Sequence, residues 1–344
     1  MNSSRHYDVI IIGGGPAGLY ASIVLKRGLP TQSVGENIRV AVLESFYVGG
    51  LARFGFITLS KKWAFSGTKL VRSLSSECES LGVDIHNYTR VLRVAQHGDE
   101  VEVNTNVGKF FGSYAIIATG IFPAPEALTH PKVRLALGTP DRIEHDTNMS
   151  WRRVLLYGSE LNSLRRLREQ LMASGRFNEI GVMCPGETDY EYSWRELANC
   201  NQSDAIAESL ARRCPGLSRD LVEAWDGILI DYNSYKAVNG STPLMTMPEI
   251  AVDHGYVLTN SMGKTSSGRI FAAGNVCTAA SGVLTALSSA LTVSLAVGRL
   301  INKTIISEPS GRFPWFPRES SWEQSWMVTL EESDVLHEGV FENE

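Results

Sequence analysis

A glycine-rich turn near the N-terminus constrains this chain more than any other feature. The apolar run at residues 7–12 leads directly into GGGPAG (13–18), and the residues that follow have helical spacing. A second β-rich run, residues 38–43, ends in Glu44. Strand, glycine turn, helix and a strand ending in an acidic residue form the first half of a dinucleotide-binding α/β fold.

Each glycine of this turn has its own physical role. Gly13 permits the tight turn, Gly15 lets a pyrophosphate approach the backbone, and Gly18 lets the helix pack close to the strand. The helix begins at Pro16 and Ala17, and its N-terminus offers free N–H groups and a positive dipole to phosphates. Glu44 is expected to accept hydrogen bonds from an adenosine ribose.

Composition and charge exclude several classes of protein. The chain has 344 residues, of which 43% are hydrophobic and 20% are charged. This balance is that of a soluble globular protein of about two domains. The net charge of −5 provides no basic field, so we expect neither a nucleic acid nor a membrane as partner.

The N-terminus and the cysteines indicate a reducing compartment. MNSSRHYDVI has no apolar core before the first strand, so no signal peptide is expected. The five cysteines include no CxxC pair, and no metal-ligand cluster is visible. We therefore predict a cytoplasmic protein with no disulfide framework and no metal.

A long apolar segment, residues 279–300, is long enough to span a bilayer. It carries six serine and threonine hydroxyls and has glycines near its two ends. Spanning helices tolerate hydroxyl groups, so composition alone does not decide between a membrane span and a buried core helix. Its position after the motif at 270–275 favours the core helix.

The rest of the chain predicts a duplicated unit. Residues 154–157, 161–173 and 180–183 read as strand, helix and strand, which repeats the N-terminal pattern. A further amphipathic helix and five further strands are predicted as well. They lie at residues 64–81 for the helix and at 83–94, 101–111, 114–119, 227–231 and 249–259 for the strands.

Three stretches carry a resemblance to a known family. YDVIIIGGGPAGLYASIVLKRG (7–28) resembles the FAD-binding start of thioredoxin reductases and related ferredoxin–NADP reductases. AIIATG (115–120) and RIFAAGN (269–275) are similar to their second and third signatures. The order of the three stretches matches the family, and the resemblance covers about residues 5–122 and 249–302.

The resemblance implies an α/β fold with two Rossmann-like domains, the second inserted in the first. It implies an FAD domain at residues 1–122 and 246–310, a degenerate NAD(P)-like domain at 123–245, an aromatic and acidic tail at 311–344, and a homodimer. The residues expected to bind FAD, beyond the loop and Glu44 already named, belong to later motifs. They are Ser45, Gly49, Gly50, Leu51, Val91, Ala118, Thr119, Gly120, Gly274, Asn275, Gly282 and Val283.

The sequence departs from that family at three places. Asn275 stands where the family has an aspartate that holds a ribityl hydroxyl of FAD, and an amide oxygen can still accept that bond. The stretch before the second nucleotide motif, 138–151, contains no cysteine, so dithiol exchange is excluded there. The second motif itself is eroded, with Tyr157 and Ser159 at glycine positions.

These departures favour an FAD-dependent oxidoreductase that is no thioredoxin reductase and does not use NADPH. Its electrons are expected from a bound substrate or a ferredoxin-like protein. One alternative is a ferredoxin- or flavodoxin–NAD(P) reductase with a divergent nucleotide site. Another is a flavin-binding scaffold without turnover. No general acid or base can be named from the sequence.

Several further features leave two interpretations open. The basic face formed by Arg165, Arg166 and Arg168 suits an acidic electron donor or simply a solvated helix surface. The tryptophan-rich tail resembles the C-terminal extension that can cover the flavin in ferredoxin–NADP reductases; alternatively, its tryptophans bury against a partner subunit or the core. Cys277 follows the third motif and is expected to be a small packing residue.

Overall fold

The strand before the glycine turn lies at the centre of the larger sheet. It spans Arg5–Ile12, and Val9 to Ile12 are at most 2% exposed. A computed structural model describes residues 5–28, 38–60, 63–122, 125–136, 150–184, 219–240, 249–278 and 282–302.

Fifteen strands and six α-helices are named here within those residues. The strands are β1 (Arg5–Ile12), β2 (Val40–Leu43), β3 (Phe56–Ser60), β4 (Trp63–Ser66), β5 (Asp84–His86), β6 (Val91–His97), β7 (Glu100–Thr105), β8 (Gly108–Ile117), β9 (Val133–Ala136), β10 (Arg153–Tyr157), β11 (Glu179–Met183), β12 (Gly227–Asp231), β13 (Val252–Asp253), β14 (Tyr256–Val257) and β15 (Ile270–Ala272). The helices are α1 (Pro16–Arg27), α2 (Gly67–Ser80), α3 (Leu161–Ala173), α4 (Arg219–Ala224), α5 (Ala237–Gly240) and α6 (Val283–Ile301).

The larger sheet has the order β5-β2-β1-β8-β7-β6, and β15 pairs with the carboxyl end of β8 on the side opposite β1. Its β5, β2, β1, β8 and β15 are parallel, whereas β6, β7 and β8 form an antiparallel meander. Buried aliphatic residues fill both faces of β1, as is usual for a strand in the middle of a parallel sheet. The carboxyl ends of the parallel strands therefore meet at one edge, beside the glycine turn.

Helices α1 and α6 pack against each other on one face of this sheet. The contact is close at Ser294, a fully buried residue whose hydroxyl lies 3.1 Å from the Ala21 carbonyl and 2.7 Å from the Ala290 carbonyl. The most apolar window of α6 has a mean hydropathy of 1.6, and 44% of that window is buried. This helix thus passes a test for a membrane span by length and composition, while its buried face forms part of the core.

A second, fully parallel sheet is built from residues 133–231, between β8 and β15 in the chain. Its order is β11-β10-β12-β9, and α3 packs against it. Two sheets built around parallel strands, the first with α1 and α6 on one face and the second with α3 against it, make the α/β fold that the sequence predicts. The predicted domain boundaries stay predictions, and the tail at 311–344 lies outside the described residues.

The structure confirms several predicted elements and corrects others. Helix α3 and strand β12 have the predicted bounds, 161–173 and 227–231. The helix predicted over 64–81 is wrong in its first three residues because 63–66 pairs with β3, so α2 begins at Gly67.

The predicted strands at 83–94 and 101–111 are also corrected. A turn at residues 87–90 divides the first run into β5 and β6, which lie at opposite ends of the sheet order. A second turn at Asn106-Val107 ends β7, and β8 then continues to Ile117. Each turn begins with an asparagine, Asn87 or Asn106, which is a turn-forming residue that the prediction overlooked. At 249–259 only the short hairpin β13–β14 forms.

Packing at the start of β12 generates a stability prediction. A Cβ on Gly227 would lie 2.3 Å from the ring of Trp151, which is only 5% exposed and has no room to move. Gly227→Ala is therefore expected to lower the free energy of unfolding by about 1–3 kcal/mol, the usual cost of overpacking. Urea unfolding followed by circular dichroism measures the change.

Gly268→Ala is the matched control. A Cβ at that exposed position would meet only the Gln96 side-chain nitrogen, at 3.8 Å, so the change should stay within about 0.5 kcal/mol. Equal stabilities for the two variants would contradict the packing of Trp151 over β12.

Candidate functional site

The glycine turn after β1 is pressed against the end of β8. A Cβ on Gly13, whose φ is +105°, would lie 2.5 Å from the Ala118 carbonyl oxygen and 3.0 Å from the Thr119 Cα. A Cβ on Gly18 would lie 1.9 Å from the Gly13 carbonyl oxygen. Both positions therefore require glycine, and the first two sequence motifs meet at this point.

Glu44 closes the turn from the side of β2. The side chain is 7% exposed, and one carboxylate oxygen accepts a 2.8 Å hydrogen bond from the Gly14 N–H. The other oxygen accepts from the Phe46 N–H at 2.8 Å and from the Ser45 hydroxyl at 3.2 Å. This carboxylate is thus fixed beside the glycine turn, and a carboxylate has lone pairs for further donors.

Open space lies in front of three glycines of the predicted set. No atom of the described residues comes within 4 Å of a Cβ built on Gly15, Gly120 or Gly282. Gly50 faces Gly15, because a Cβ on Gly50 would lie 3.4 Å from the Gly15 Cα. Gly49 donates from its N–H to the Gly14 carbonyl at 2.6 Å and so joins the two turns.

The third motif (269–275) includes β15, and its last residues lie beside the same glycine turn. A Cβ on Gly274 would lie 3.0 Å from the Ala17 Cβ, at the start of α1. The Gly274 N–H donates to the Ser289 hydroxyl oxygen of α6 at 2.8 Å. Next to it, the Asn275 amide nitrogen donates to the Tyr232 hydroxyl at 2.7 Å. The Asn275 Oδ1 is buried and has no hydrogen-bond partner among the described residues.

These features fit FAD, the cofactor that the sequence implies. The start of α1, with Gly15 as its N-cap, Pro16 in its first turn and no acidic residue there, suits a pyrophosphate. The buried acceptor on Asn275 suits a ligand hydroxyl, because an unpaired buried polar atom is costly.

The remaining predicted residues lie around this edge with different degrees of burial. Leu51 lies in a short 3-10 helix, Gly50–Phe54, and packs against the core. Val91, at the start of β6, is 5% exposed and belongs to the core cluster. Gly282 is the N-cap of α6 and Val283 is its first residue. Their contact with a cofactor stays a prediction.

The turn after β10 differs sharply from the turn after β1. Tyr157 ends the strand and is 2% exposed. The next residue, Gly158, packs closely against Ser234, since a Cβ there would lie 2.4 Å from the Ser234 Oγ. Ser234 Oγ accepts from the Ser159 N–H at 3.0 Å, and the Ser159 hydroxyl donates to the Ser234 carbonyl. A side chain of the protein therefore occupies this turn.

A buried carboxylate lies beside the same turn. Asp231, at the end of β12, is 2% exposed and accepts from the Ser163 hydroxyl at 2.6 Å, in the first turn of α3. It also accepts from the Asn233 N–H at 3.0 Å. Burial raises the pKa of Asp231, while the bond from Ser163 lowers it. The first turn of α3, which would face a second pyrophosphate, is therefore hydrogen-bonded to the buried Asp231.

The thiol near the third motif is protonated at neutral pH. Burial raises the pKa of Cys277 to about 12, and its side chain packs against the core. This supports its role as a packing residue. Two segments discussed from the sequence lie outside the described residues: most of 138–151 and the tryptophan-rich tail.

Sequence reasoning missed four residues at these turns. They are Ser289 of α6, whose hydroxyl meets Gly274, and the neighbours Asp231, Tyr232 and Ser234. The usable signal was the position of the last three, at the end of the strand at 227–231 or directly after it, because functional residues gather at the carboxyl ends of parallel strands.

Comparison with known proteins agrees with this geometry. Residues 51–274 match the protein family described as FAD dependent oxidoreductase, a match that covers more than half of the chain and begins after the first glycine turn. A 34.2 kDa protein in the rubredoxin operon of Clostridium pasteurianum is 30% identical over 132 residues, which are 37% of this chain and 40% of that protein.

A longer match is to a ferredoxin–NADP reductase of Ligilactobacillus salivarius. It is 24% identical over 314 residues, covering 80% of this chain and 85% of the reductase. Among solved structures, the thioredoxin reductase of T. acidophilum superposes with a TM-score of 0.53 at 16% identity, over 87% of this chain and all of that one. This likeness gives the same fold of two Rossmann-like domains. Together, the family match and the assembled motifs identify the chain as a member of the FAD-dependent oxidoreductases, with FAD as its cofactor.

Proposed function

We propose that this oxidoreductase carries FAD at the glycine turn after β1 and is not reduced by NADPH at the turn after β10. The observation that carries the proposal is the filling of the second turn by Ser234 and Asp231. The electrons then come from a bound substrate or from a ferredoxin-like protein.

The residues assigned to FAD follow from the chemistry of each group. The open space at Gly15, together with the N–H groups at the start of α1, suits the pyrophosphate. The Glu44 carboxylate suits the ribose hydroxyls, and the Asn275 Oδ1 suits a hydroxyl of the ribityl chain. We place the flavin near Gly49, Gly50 and the N-terminus of α6, which begins at Val283.

In this proposal, the protein contributes binding, orientation and electrostatics. FAD, when bound, supplies the two-electron and one-electron redox chemistry. The N-terminus of α6 has a positive dipole and no acidic residue in its first turn, so it favours negative charge placed beside it. The protonated Cys277 provides no thiolate, which supports a reaction that needs no dithiol.

Three physical effects oppose NADPH at the second turn. The Ser159 N–H, which a phosphate oxygen would need, already donates to Ser234. Ser159 carries a side chain at the position where Gly15 leaves open space, and its hydroxyl donates to the Ser234 carbonyl. Asp231, when ionised, and the helix N-cap Glu160 would both repel a pyrophosphate.

The electron donor is proposed from two observations. The Ligilactobacillus relative is named a ferredoxin–NADP reductase, which supports a ferredoxin-like partner. Helix α3 exposes Arg165 and Arg166, and such positive charge suits an acidic electron carrier. A cytoplasmic location, a homodimer and the domain boundaries predicted above complete this proposal.

The same relative favours a second candidate function. A ferredoxin- or flavodoxin–NAD(P) reductase would bind its nucleotide at a site other than the usual glycine turn. The absence of CxxC agrees with this alternative as well. Rapid reduction of the flavin by a nicotinamide nucleotide separates it from the leading proposal.

One prediction of this proposal concerns the affinity for FAD of a variant at Glu44. Glu44→Gln replaces one carboxylate oxygen by an NH₂ group that faces an N–H donor, so the turn loses a charged acceptor. We expect FAD to bind about tenfold to a hundredfold more weakly, since hydrogen bonds to charged groups contribute about 1.5–3 kcal/mol. Fluorescence titration of the apoprotein with FAD measures the affinity.

Glu100→Gln serves as the control, because Glu100 is a half-exposed residue of β7 that pairs with His6 on the surface. It should bind FAD like the wild type. Wild-type affinity in Glu44→Gln would show that this carboxylate does not contact the cofactor.

Another prediction of this proposal concerns which reductants can reduce the flavin. Under anaerobic conditions, neither NADPH nor NADH at micromolar concentration should bleach the flavin absorbance within seconds, because the second turn is filled. Dithionite should bleach it, which shows that the flavin is reducible. An NADPH-dependent thioredoxin reductase measured alongside is the positive control. Rapid bleaching by either nucleotide would overturn the leading proposal in favour of the second candidate.

A further inference from the structure

The hydrogen bond between Asn275 and Tyr232 joins the two sheets at the proposed cofactor site. Asn275 follows β15 of the larger sheet, whereas Tyr232 follows β12 of the second sheet. The bond is 2.7 Å long, and Tyr232 is only 5% exposed. One residue of the second sheet thus contacts a residue that we assign to FAD.

The Asn275 amide has its NH₂ end toward Tyr232. An amide has one end that only donates and one end that only accepts. Because the NH₂ end donates to Tyr232, the Oδ1 end must face the opposite way. That oxygen is buried and has no partner among the described residues, which is an arrangement that a ligand donor would complete.

Tyr232 is itself held firmly. It begins a short 3-10 turn, Tyr232–Ser234, which Asp231 caps by accepting from the Asn233 N–H. The Ser234 hydroxyl donates to the Asp231 carbonyl at 2.7 Å, and Asp231 in turn accepts from Ser163 of α3. The groups that fill the second turn therefore also anchor the tyrosine.

We propose that Tyr232 is a positioning residue for FAD, which acts by orienting Asn275. The inference rests on the proposed assignment of Asn275 to the cofactor. It adds that the second sheet completes the cofactor site through one hydroxyl group, without binding a nucleotide itself. An asparagine suits this role because its amide can bond to the tyrosine oxygen and to a ligand hydroxyl with different atoms.

The test is a double-mutant cycle on the affinity of the apoprotein for FAD. Tyr232→Phe removes only the hydroxyl and should weaken FAD binding about threefold to tenfold, the effect of one neutral hydrogen bond. Asn275→Ala should weaken it at least as much. In the Asn275→Ala background, Tyr232→Phe should have no further effect, because its target is gone.

Tyr235→Phe is the matched control. Tyr235 is a second buried tyrosine of the same segment, 5% exposed, and its ring packs against Phe122. This variant should keep the wild-type affinity within twofold. Equal losses for Tyr232→Phe in both backgrounds, or no loss in the wild-type background, would overturn the inference.

The affinities of the single variants distinguish a failure of the Tyr232 inference from a failure of the proposed assignment of Asn275 to FAD. If Asn275→Ala binds FAD normally, the assignment of Asn275 itself fails. If only Asn275→Ala weakens binding, the assignment stands and the role of Tyr232 fails. The electron source is not tested by these affinities.

A measurement on the wild type covers the case in which Tyr232→Phe does not fold. FAD binding should slow the hydrogen exchange of the peptide containing residues 231–235, because a completed Asn275 site stabilises the turn bonded to it. Unchanged exchange in that peptide would overturn the inference.

Discussion

The backbone contact between the first glycine turn and the end of β8 is the constraint on which the site depends. Only a chain without side chains at Gly13 and Gly18 lets β1, α1 and β8 come so close. Once they do, Glu44 reaches the Gly14 N–H from β2, Gly50 faces Gly15, and Gly274 contacts α1. Residues far apart in the sequence are thereby brought to one edge of one sheet.

The second sheet also has parallel strands with a helix against it, but the turn at its equivalent edge is occupied differently. Its strands are parallel and its helix α3 follows β10, as α1 follows β1. The turn between them holds serine hydroxyls and a buried aspartate that bond to one another. In this second sheet, side chains of the protein itself make the hydrogen bonds of the turn.

The sequence predicted most of the fold because its strongest signals are local. The glycine turn, the two repeated strand–helix–strand patterns and the bounds of α3 and β12 could all be predicted from apolar periodicity. The turns at 87–90 and 106–107 were missed although each begins with a turn-forming asparagine, because the β-forming residues Tyr88, Thr89 and Val107 lie within them. The extent of α2 depended on pairing between β3 and β4, which is a tertiary effect.

The site was predictable only where motifs are continuous in the sequence. Gly13 to Gly18, Glu44 and Gly274-Asn275 were identified because each belongs to a short pattern. Ser234, Asp231 and Tyr232 belong to no pattern, and their roles depend on which strand ends lie side by side.

The position of β15 in the chain has a consequence for synthesis in the cell. The carboxyl end of β8, Ala115–Ile117, pairs with β1 on one side and with β15 on the other. The ribosome makes more than 150 residues between Ile117 and Ile270, so this buried, apolar edge stays open during that interval. An open apolar edge invites pairing with other chains. The nascent protein is therefore exposed to misassembly until β15 and α6 emerge.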